Sequence, residues 1–214
     1  PAPVVGVIIP AYRPMGNRIN QEQRNALILD RARRLFSELG YPEVSLKLVA
    51  SRCGLSRTVI YRHYKSKREL FDSVITGIAA DLGRKFRAEV NLHPELSCAG
   101  KIQMVMMDVL DVMADNIGLL DAITEYLIDQ RRQGESVARR VRRHTLALRR
   151  TLVDLVREGI DRGEFRNVQC NLVGDIFFGQ LESAALQLAV TQTANIEAIK
   201  STIAMSLYCL KLNP

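Results

Sequence analysis

The segment "CGLSRTVIYRHYKSKREL", residues 53–70, combines five Lys and Arg residues, one histidine and two tyrosines with a few apolar residues. The apolar side chains Leu55, Val59 and Ile60 are threaded among the charges. A helix that only faced water would not need the aromatics, and a buried helix could not hold this charge. The segment is therefore predicted to pack one side into a core and to offer the other to a charged partner.

The positive charge of the chain is concentrated in this region. Residues 18–70 contain twelve Lys and Arg residues against five acidic residues, so this stretch carries the whole formal net charge of +7. Such a field indicates a polyanionic partner, nucleic acid or an anionic membrane, although a solubilising basic surface would have the same composition. Because charged and core residues alternate closely, the segment has no free apolar face, and no membrane partner is expected.

The cysteines and histidines suggest neither a metal site nor a disulfide framework. Cys53, Cys98, Cys170 and Cys209 are far apart, form no CxxC pair and share no ligand spacing with the three histidines. They are expected to be reduced thiols of a cytoplasmic protein that has no metal and no cofactor. The sequence also lacks a phosphate-cradling glycine loop, an HExxH motif and a GxSxG elbow, so no catalytic residue is predicted and a helical enzyme is the less favoured alternative.

Apolar residues recur at helical spacing through most of the chain, and no segment shows the alternation typical of a strand. Ser45 and Ser56 are predicted to cap two short helices, and Ser66 opens the capping box of a long one. Residues 1–17, around a start-like Met15, are expected to be a disordered or added leader outside the fold. The predicted helices cover residues 21–39, 45–53, 56–64, 66–90, 101–116, 119–133, 136–162, 170–190 and 196–212.

Three residues in the basic region have the spacing of a helix-turn-helix. Ala50 is small enough for two helices to approach closely, and Gly54, four residues later, tolerates the positive φ of a turn. Ile60, six residues beyond the glycine, anchors the second helix in a core. This second helix is predicted to enter the major groove of duplex DNA. The side chains left on its exposed side are Arg57, Thr58, Tyr61 and Arg62.

The flanks of this motif closely resemble the DNA-binding domain of the TetR family of transcriptional regulators over about fifty residues. The sequence departs from the family at Thr58, which is frequently glycine there, and at Val59, which is frequently threonine, so the operator of a relative does not transfer to this chain. The resemblance implies an all-α fold, with a three-helix helix-turn-helix domain in residues 18–66 and a helical bundle for ligand binding and dimerisation in residues 67–214. The matching residues are Ala32, Phe36, Gly40, Tyr41, Ser45, Ala50, Gly54, Ser56, Tyr61, His63, Tyr64, Lys67 and Leu70.

The resemblance also implies DNA contacts by position. One group of side chains would lie at base edges or the adjoining backbone, a second would meet phosphates or pack the domain, and a third would anchor phosphates or sit at a helix N-terminus facing them. These groups are, in order, Arg57, Thr58, Val59 and Arg62; Tyr61, His63 and Tyr64; and Ser45, Lys47, Ser56 and Lys67.

The second half of the chain, as the resemblance implies, forms a homodimer and holds a small-molecule effector that changes the spacing of the two reading heads on an operator of double-stranded DNA. The implied function is that of a ligand-released repressor, and an architectural DNA-binding protein without an effector is the alternative. The last two helices are the expected dimer surface, because residues 172–190 mix large apolar residues such as Phe177 and Leu188 with small ones such as Gly174 and Ala184. A core helix of a monomer would show the same mixture.

An apolar effector pocket is predicted around the methionine-rich residues 101–128. Flexible thioethers suit a pliable cavity, although they suit an ordinary core equally well. The arginine-rich residues 131–150 would bind an anionic head group or remain solvated. The segments "REGIDRGEFR" (157–166) and "FFGQLESAALQL" (177–188) are similar to the fatty-acyl-responsive branch of the family, which favours an acyl-CoA-like effector. The predicted pocket residues are Met104, Met107, Leu110, Ile117, Leu120, Tyr126, Phe177, Phe178 and Leu181.

Overall fold

The computed structural model describes residues 20–191 and 195–212, and at residues 137–144 and 191 it describes the backbone alone. Within these ranges every regular element is an α-helix, and the extended pairing is limited to one isolated bridge between Phe165 and Lys211. The predicted all-α fold is confirmed, whereas the predicted leader, residues 1–17, lies outside the described residues. The helices are α1 (Gln21–Glu43), α2 (Leu46–Arg52), α3 (Arg57–His63), α4 (Lys67–Leu92), α5 (Cys98–Ala114), α6 (Ile117–Arg132), α7 (Val137–Asp161), α8 (Cys170–Thr191) and α9 (Ile196–Leu210).

Side-chain caps set where several helices begin. Asn20 and Gln23 form a reciprocal capping box at the start of α1, and Ser45 accepts the third N–H group of α2. Ser97 caps α5 in the same way, so this helix begins at Cys98 and not near residue 101, where the apolar periodicity first becomes regular. The cap therefore decides this boundary, and the hydrophobic pattern alone misplaces it.

The first helix bends sharply at Gly40, close to its predicted end at residue 39. Gly40 has φ 78° and ψ 171°, which lie outside helical geometry, and the chain then passes through Pro42 to the start of α2. A Cβ atom at Gly40 would lie 2.7 Å from Oε2 of Glu125 on α6. The positive φ therefore requires glycine here, and a side chain would also force the carboxylate of Glu125 to shift.

Two clusters of buried side chains form the interior. The first joins α1, α2, α3 and the start of α4 to α6, and the aromatic rings of Phe36, Tyr41, Phe71 and Tyr126 stack at its centre with centroids 4.5–6.0 Å apart. The second joins the far part of α4 to α5, α7, α8 and α9. The helices α4 and α6 thus connect the N-terminal helices to the rest of the bundle.

The sequence predicts a domain boundary between residues 66 and 67. The first cluster of buried side chains extends across this boundary. Three residues of α6, including Ala122 and Tyr126, are fully or almost fully buried in the first cluster. The helices α1 and α6 approach each other at backbone distance near Gly118. An added Cβ there would lie 2.2 Å from the carbonyl oxygen of Ser37. The assignment of residues 18–66 as a DNA-binding domain remains a proposal, and its core is completed by α6.

The lengths and compositions of the helices also bear on membranes. Across the part of the chain that the structure describes, no helix combines the length and the apolar content needed to cross a bilayer.

Candidate DNA interface and apolar cavity

The helices α2 and α3 have the geometry that the sequence predicts for a helix-turn-helix. Gly54 has φ 65°, and the next N–H group, that of Leu55, donates to the carbonyl oxygen of Ala50 at 2.9 Å. Ala50 and Ile60 are buried in the first cluster, so the small residue allows the close crossing and the isoleucine anchors α3. Nothing lies within 4 Å of a Cβ built on Gly54, so the requirement for glycine comes from the backbone conformation alone.

The outer side of α3 carries the reading residues that the spacing predicts. Arg57, Thr58, Tyr61 and Arg62 are exposed, and Tyr61 retains 53% of its accessible surface even though it is a large aromatic residue. Among the described residues neither arginine has an ion pair with a carboxylate, so both guanidinium groups are available to an anionic partner. Val59 and His63 are half-buried at the edges of this surface.

The two predicted serine anchors act as helix caps. The hydroxyl oxygen of Ser45 accepts the N–H group of Leu48 at 3.2 Å, and that of Ser56 accepts the N–H group of Val59 at 3.4 Å. Their hydroxyl hydrogens remain available, and Lys47 is exposed beside the first cap. The capped N-termini of α2 and α3 are therefore both exposed and carry polar hydrogens, as a phosphate contact requires.

Tyr64 and Lys67 lie where they hold the domain together. The hydroxyl of the buried Tyr64 donates to Oδ1 of Asn25 on α1 at 2.6 Å, and burial raises the pKa of this phenol. The ammonium group of Lys67 donates to the carbonyl oxygens of Tyr41 and Pro42 at 2.8 and 2.9 Å, and burial is the main cause that lowers its pKa. Tyr64 was predicted either to meet phosphates or to pack the domain, and its burial and its hydrogen bond to Asn25 support packing. The phosphate contact predicted for Lys67 remains a prediction, with two of its three hydrogens already used.

An apolar cavity of about 540 Å³ lies between α4, α5, α6, α7 and α8. Its lining positions on α6 recur every three or four residues from one end of the helix to the other, and those on α4 recur in the same way between Ile75 and Phe86, so the cavity follows all of α6 and the middle of α4. Its apolar lining consists of Ile75, Ile78, Ala79, Leu82, Gly83, Phe86, Val109, Val112, Met113, Leu119, Leu120, Ile123, Tyr126, Leu127, Ile128, Leu148, Phe178, Leu181, Ala185 and Leu186.

The structure brings only part of the predicted pocket together. Leu120, Tyr126, Phe178 and Leu181 line the cavity, and their role as ligand contacts remains a prediction. The other five lie elsewhere: Leu110 and Phe177 are buried in the second cluster, Met107 packs against it, and Met104 and Ile117 are half-buried outside the cavity. Of the four methionines in residues 101–128, only Met113 lines the cavity, so aliphatic and aromatic side chains provide its wall.

Polar side chains border this cavity at a few points. Arg33 of α1 reaches it and donates from Nη2 to Oδ1 of Asn116 at 3.1 Å. Arg131 borders it at the other end of α6, and Glu182 on α8. Sequence reasoning missed Arg33, because its part in the cavity arises from the packing of α1 on α6, which no local pattern indicates.

Tyr126 links the cavity wall to the DNA-binding helices. Its ring lines the cavity, and its hydroxyl donates to Oδ1 of Asp72 on α4 at 2.6 Å. The same ring packs 4.9 Å from the ring of Tyr41, whose N–H group donates to Oε2 of Glu125 at 2.7 Å. A single side chain, that of Tyr126, thus separates the cavity from the end of α1.

The thiols are placed as ordinary reduced cysteines. Burial raises the pKa of Cys98 to about 11 and also raises that of Cys53, so neither is a reactive thiolate near neutral pH. Among the residues whose side chains are described, the cysteines are free and no group of three potential metal ligands assembles.

The outer face of α8 and α9 is apolar. Large exposed side chains on α8 recur at positions 172, 176, 186 and 190, and on α9 and just after it at 205, 208 and 212. Four of the residues on which the dimer prediction was based lie elsewhere: Phe177, Ala184 and Leu188 are inside the protomer, and Gly174 packs against Val153. The exposed apolar residues are Leu172, Ile176, Leu186, Val190, Met205, Tyr208 and Leu212.

The fold of the whole chain matches solved structures of similar size. It superposes on a TetR transcription regulator from Haloarcula marismortui with a TM-score of 0.74 and 18% identity, covering 89% of this chain and 99% of that one. It also superposes on the transcriptional regulator FadR from Bacillus subtilis, a structure solved in complex with stearoyl-CoA, with a TM-score of 0.71 and 18% identity over 85% and 96% of the two chains. At this level of identity these likenesses show a common fold.

The sequence itself matches several HTH-type transcriptional regulators and, over about half of the chain, the nucleoid occlusion factor SlmA of Pasteurella multocida at 27% identity. It is 26% identical over 178 residues to the uncharacterized HTH-type transcriptional regulator YfiR of Bacillus subtilis, covering 83% of this chain and 85% of that one. Residues 28–74, which span the helix-turn-helix and the start of α4, match the model of the tetR family of bacterial regulatory proteins. Such relatives are regulators and not enzymes. Residues 28–74 therefore form a TetR-family DNA-binding domain, and the chain is similar to an HTH-type transcriptional regulator over most of its length.

Proposed function

We propose that the protein is a homodimeric repressor that leaves its operator when an apolar small molecule fills the cavity between α4 and α8. The observation that carries this proposal is the shared wall formed by Tyr126. One side of its ring contacts the cavity, and the other packs on Tyr41 at the end of α1. A ligand that favours another position of this ring favours another position of the reading helix, and so lowers DNA affinity by linkage.

On the DNA side, the proposal assigns α3 to the major groove. Arg57, Thr58, Tyr61 and Arg62 are its exposed side chains, with Val59 and His63 at the edge. Phosphates would meet the capped N-termini of α2 and α3 and the exposed Lys47. Two such heads on one side of a duplex need a separation near one helical turn, about 34 Å, which a two-fold symmetric dimer provides.

The proposed dimer uses the outer face of α8 and α9. A row of large apolar side chains on two adjacent helices is more exposed apolar surface than a monomer usually keeps. The row is interrupted on α8 only by Gly179 and Ser183, which allow a symmetry-related helix to approach closely. Cys209 is exposed on the same side of α9 as Met205 and Leu212, so it would be covered in the dimer.

The proposed effector has a long hydrocarbon chain, as in a fatty acyl-CoA. The lining runs along α6 from Asn116 to Arg131, fifteen residues or about 22 Å of helix. The cavity has a volume of about 540 Å³ and a lining that is mostly aliphatic and aromatic, which suits a long hydrocarbon chain. The stearoyl-CoA bound by the FadR structure of the same fold supports this class of ligand.

The experiment that tests the proposal is footprinting on the DNA upstream of the protein's own gene, with excess non-specific DNA and a salt series, followed by addition of palmitoyl-CoA. We expect protection of a two-fold symmetric site and its loss on addition of the ligand. Equal binding to any duplex would contradict the regulator mechanism and favour an architectural protein. Specific binding that no acyl-CoA chain length reverses would reject the effector class and leave the operator assignment in place.

A further inference from the structure

We propose that Arg33, a residue of the first DNA-binding helix, binds the anionic head group of the effector. This inference rests on the proposed ligand-responsive function and adds a specific contact to it. It makes the ligand an amphiphile whose apolar tail lies along α4 and α6. Its negatively charged end then lies against α1, so that the ligand itself bridges the cavity and the DNA-binding helices.

The position of Arg33 is the first step. It lies on α1 next to Ala32, which is fully buried in the first cluster, whereas Arg33 itself is exposed and borders the cavity. One turn further along α1, Ser37 makes the close backbone approach to Gly118 of α6. Arg33 therefore borders the cavity one turn from a close backbone contact between α1 and α6.

The second step is its charge. Arg33 has one hydrogen bond among the described residues, to the neutral amide oxygen of Asn116, and no ion pair. Arg34, the next residue, is paired with Asp30 at 3.3 Å and does not border the cavity. A guanidinium beside an apolar cavity, with a single neutral acceptor, keeps most of its donors available for a carboxylate or a phosphate.

The third step distinguishes the two ends of the cavity. Arg33 stands at the N-terminal end of α6, where Asn116 is the N-cap residue but its side chain makes no capping hydrogen bond. The helix dipole is positive at this end and adds to the guanidinium charge. Arg131 stands at the C-terminal end, where the dipole is negative and offsets its charge. An anionic head group is therefore stabilised more at Arg33, and the tail extends from there toward Arg131.

The consequence is a direct coupling between ligand and DNA. Arg33 on α1 already donates a hydrogen bond to Asn116 at the start of α6. A head group that binds this arginine either replaces that contact between the two helices or adds to it. Operator binding favours one position of α1. If the ligand contact depends on the position of α1, the operator therefore changes the affinity for the ligand. By reciprocity, the ligand changes operator affinity by the same factor.

The test compares palmitoyl-CoA with the uncharged palmitoyl ethanolamide on the full-length protein. We expect Arg33→Gln, which keeps a hydrogen-bond donor but loses the charge, to weaken palmitoyl-CoA binding by roughly five- to thirtyfold, as for one charge-assisted hydrogen bond. Its binding of palmitoyl ethanolamide and its operator affinity without ligand should change less than about twofold. Arg34→Gln, on the same helix but outside the cavity, is the matched control and should bind palmitoyl-CoA like the wild type, whereas Arg131→Gln, at the opposite end of the cavity, should weaken palmitoyl-CoA binding less than Arg33→Gln does.

Each contrary result has a separate meaning. Unchanged palmitoyl-CoA binding by Arg33→Gln, or a loss confined to Arg131→Gln, would overturn the assignment while leaving an acyl effector in place. An equal loss for both ligands would show a structural role for Arg33 instead of recognition of charge. Binding of palmitoyl ethanolamide but not of palmitoyl-CoA by the wild type would also reject the anionic head group. Binding of neither would reject this inference together with the proposed effector class.

Discussion

The exposed side of α3 and the apolar cavity differ in how much of the chain builds them. Seven consecutive residues between two caps form the reading helix, whereas side chains from six helices, between residues 33 and 186, border the cavity. The first surface acts through charge and hydrogen bonds that face outward. The second acts through shape and burial. A mutation on α3 should therefore change one contact, whereas a change in the cavity wall should alter the relation between distant helices.

The largest effect should come from breaking the proposed dimer, because each reading head alone covers only half of an operator. Ile176→Asp places a charge in the exposed apolar row on α8 and should lower operator affinity by at least about a hundredfold, as binding of the second head is no longer intramolecular. Sedimentation and anisotropy measured on the same sample test this expectation. Leu92→Asp, at an equally exposed apolar residue at the end of α4, should change neither quantity.

Arg62→Ala probes the local surface and should have the next largest effect. Loss of one contact per head should weaken operator binding by about ten- to a hundredfold, and should reduce the slope of affinity against salt if the contact is to phosphate. Palmitoyl-CoA binding should not change, because α3 does not border the cavity. Arg150→Ala, an exposed arginine on α7, serves as the control. If both substitutions lower affinity equally, Arg62 acts only through the general charge of the protein.

Tyr126→Phe probes the connection between the two regions. The ring that lines the cavity stays, but the 2.6 Å hydrogen bond to Asp72 is lost. Ligand affinity of the DNA-free protein should stay within about twofold, whereas the factor by which operator and ligand weaken each other should fall by roughly three- to tenfold. Titration of palmitoyl-CoA with and without operator measures this factor. An unchanged factor would remove this hydrogen bond from the coupling route.

The smallest effects concern the free energy of unfolding. Alanine at a glycine in the turn of the reading motif and alanine at a glycine within α4 should change it in opposite directions. Gly54→Ala forces φ 65° on alanine and should lower the free energy of unfolding by about 1 kcal/mol. Gly77→Ala, within α4 and with nothing in reach of its Cβ, should raise it by about 0.5–1 kcal/mol. Urea unfolding of both variants provides the comparison. Stabilisation by Gly54→Ala would contradict the strained turn.

The same contrast explains what the sequence could predict. The helix-turn-helix was predictable because Ala50, Gly54 and Ile60 act at fixed spacings within one short segment, and local geometry determines their roles. Helix order was also predictable, apart from the start of α5, since caps and apolar periodicity are local. The hydrogen bonds of Lys67 to the carbonyls of Tyr41 and Pro42 had no such local signal, and the phosphate contact predicted for this lysine stays a prediction.

The cavity was less predictable because its lining depends on how distant helices rotate against one another. Phe177 and Phe178 are neighbours in the sequence, yet only Phe178 lines the cavity while Phe177 is buried in the second cluster. Composition identified the segment but not the side of each helix. Arg33 had no local signal at all, since it is one of three arginines within four residues of α1 and only packing against α6 distinguishes it.

In the proposed mechanism, a ligand inside the cavity releases the protein from its DNA. The most direct measurement is anisotropy of the labelled operator during titration with palmitoyl-CoA, for the wild type and for Ala79→Phe, which fills part of the cavity from α4. We predict that both proteins bind the operator with similar affinity and that only the wild type is released. Release of both at the same concentration would contradict the account, because the ligand would then act from outside the cavity.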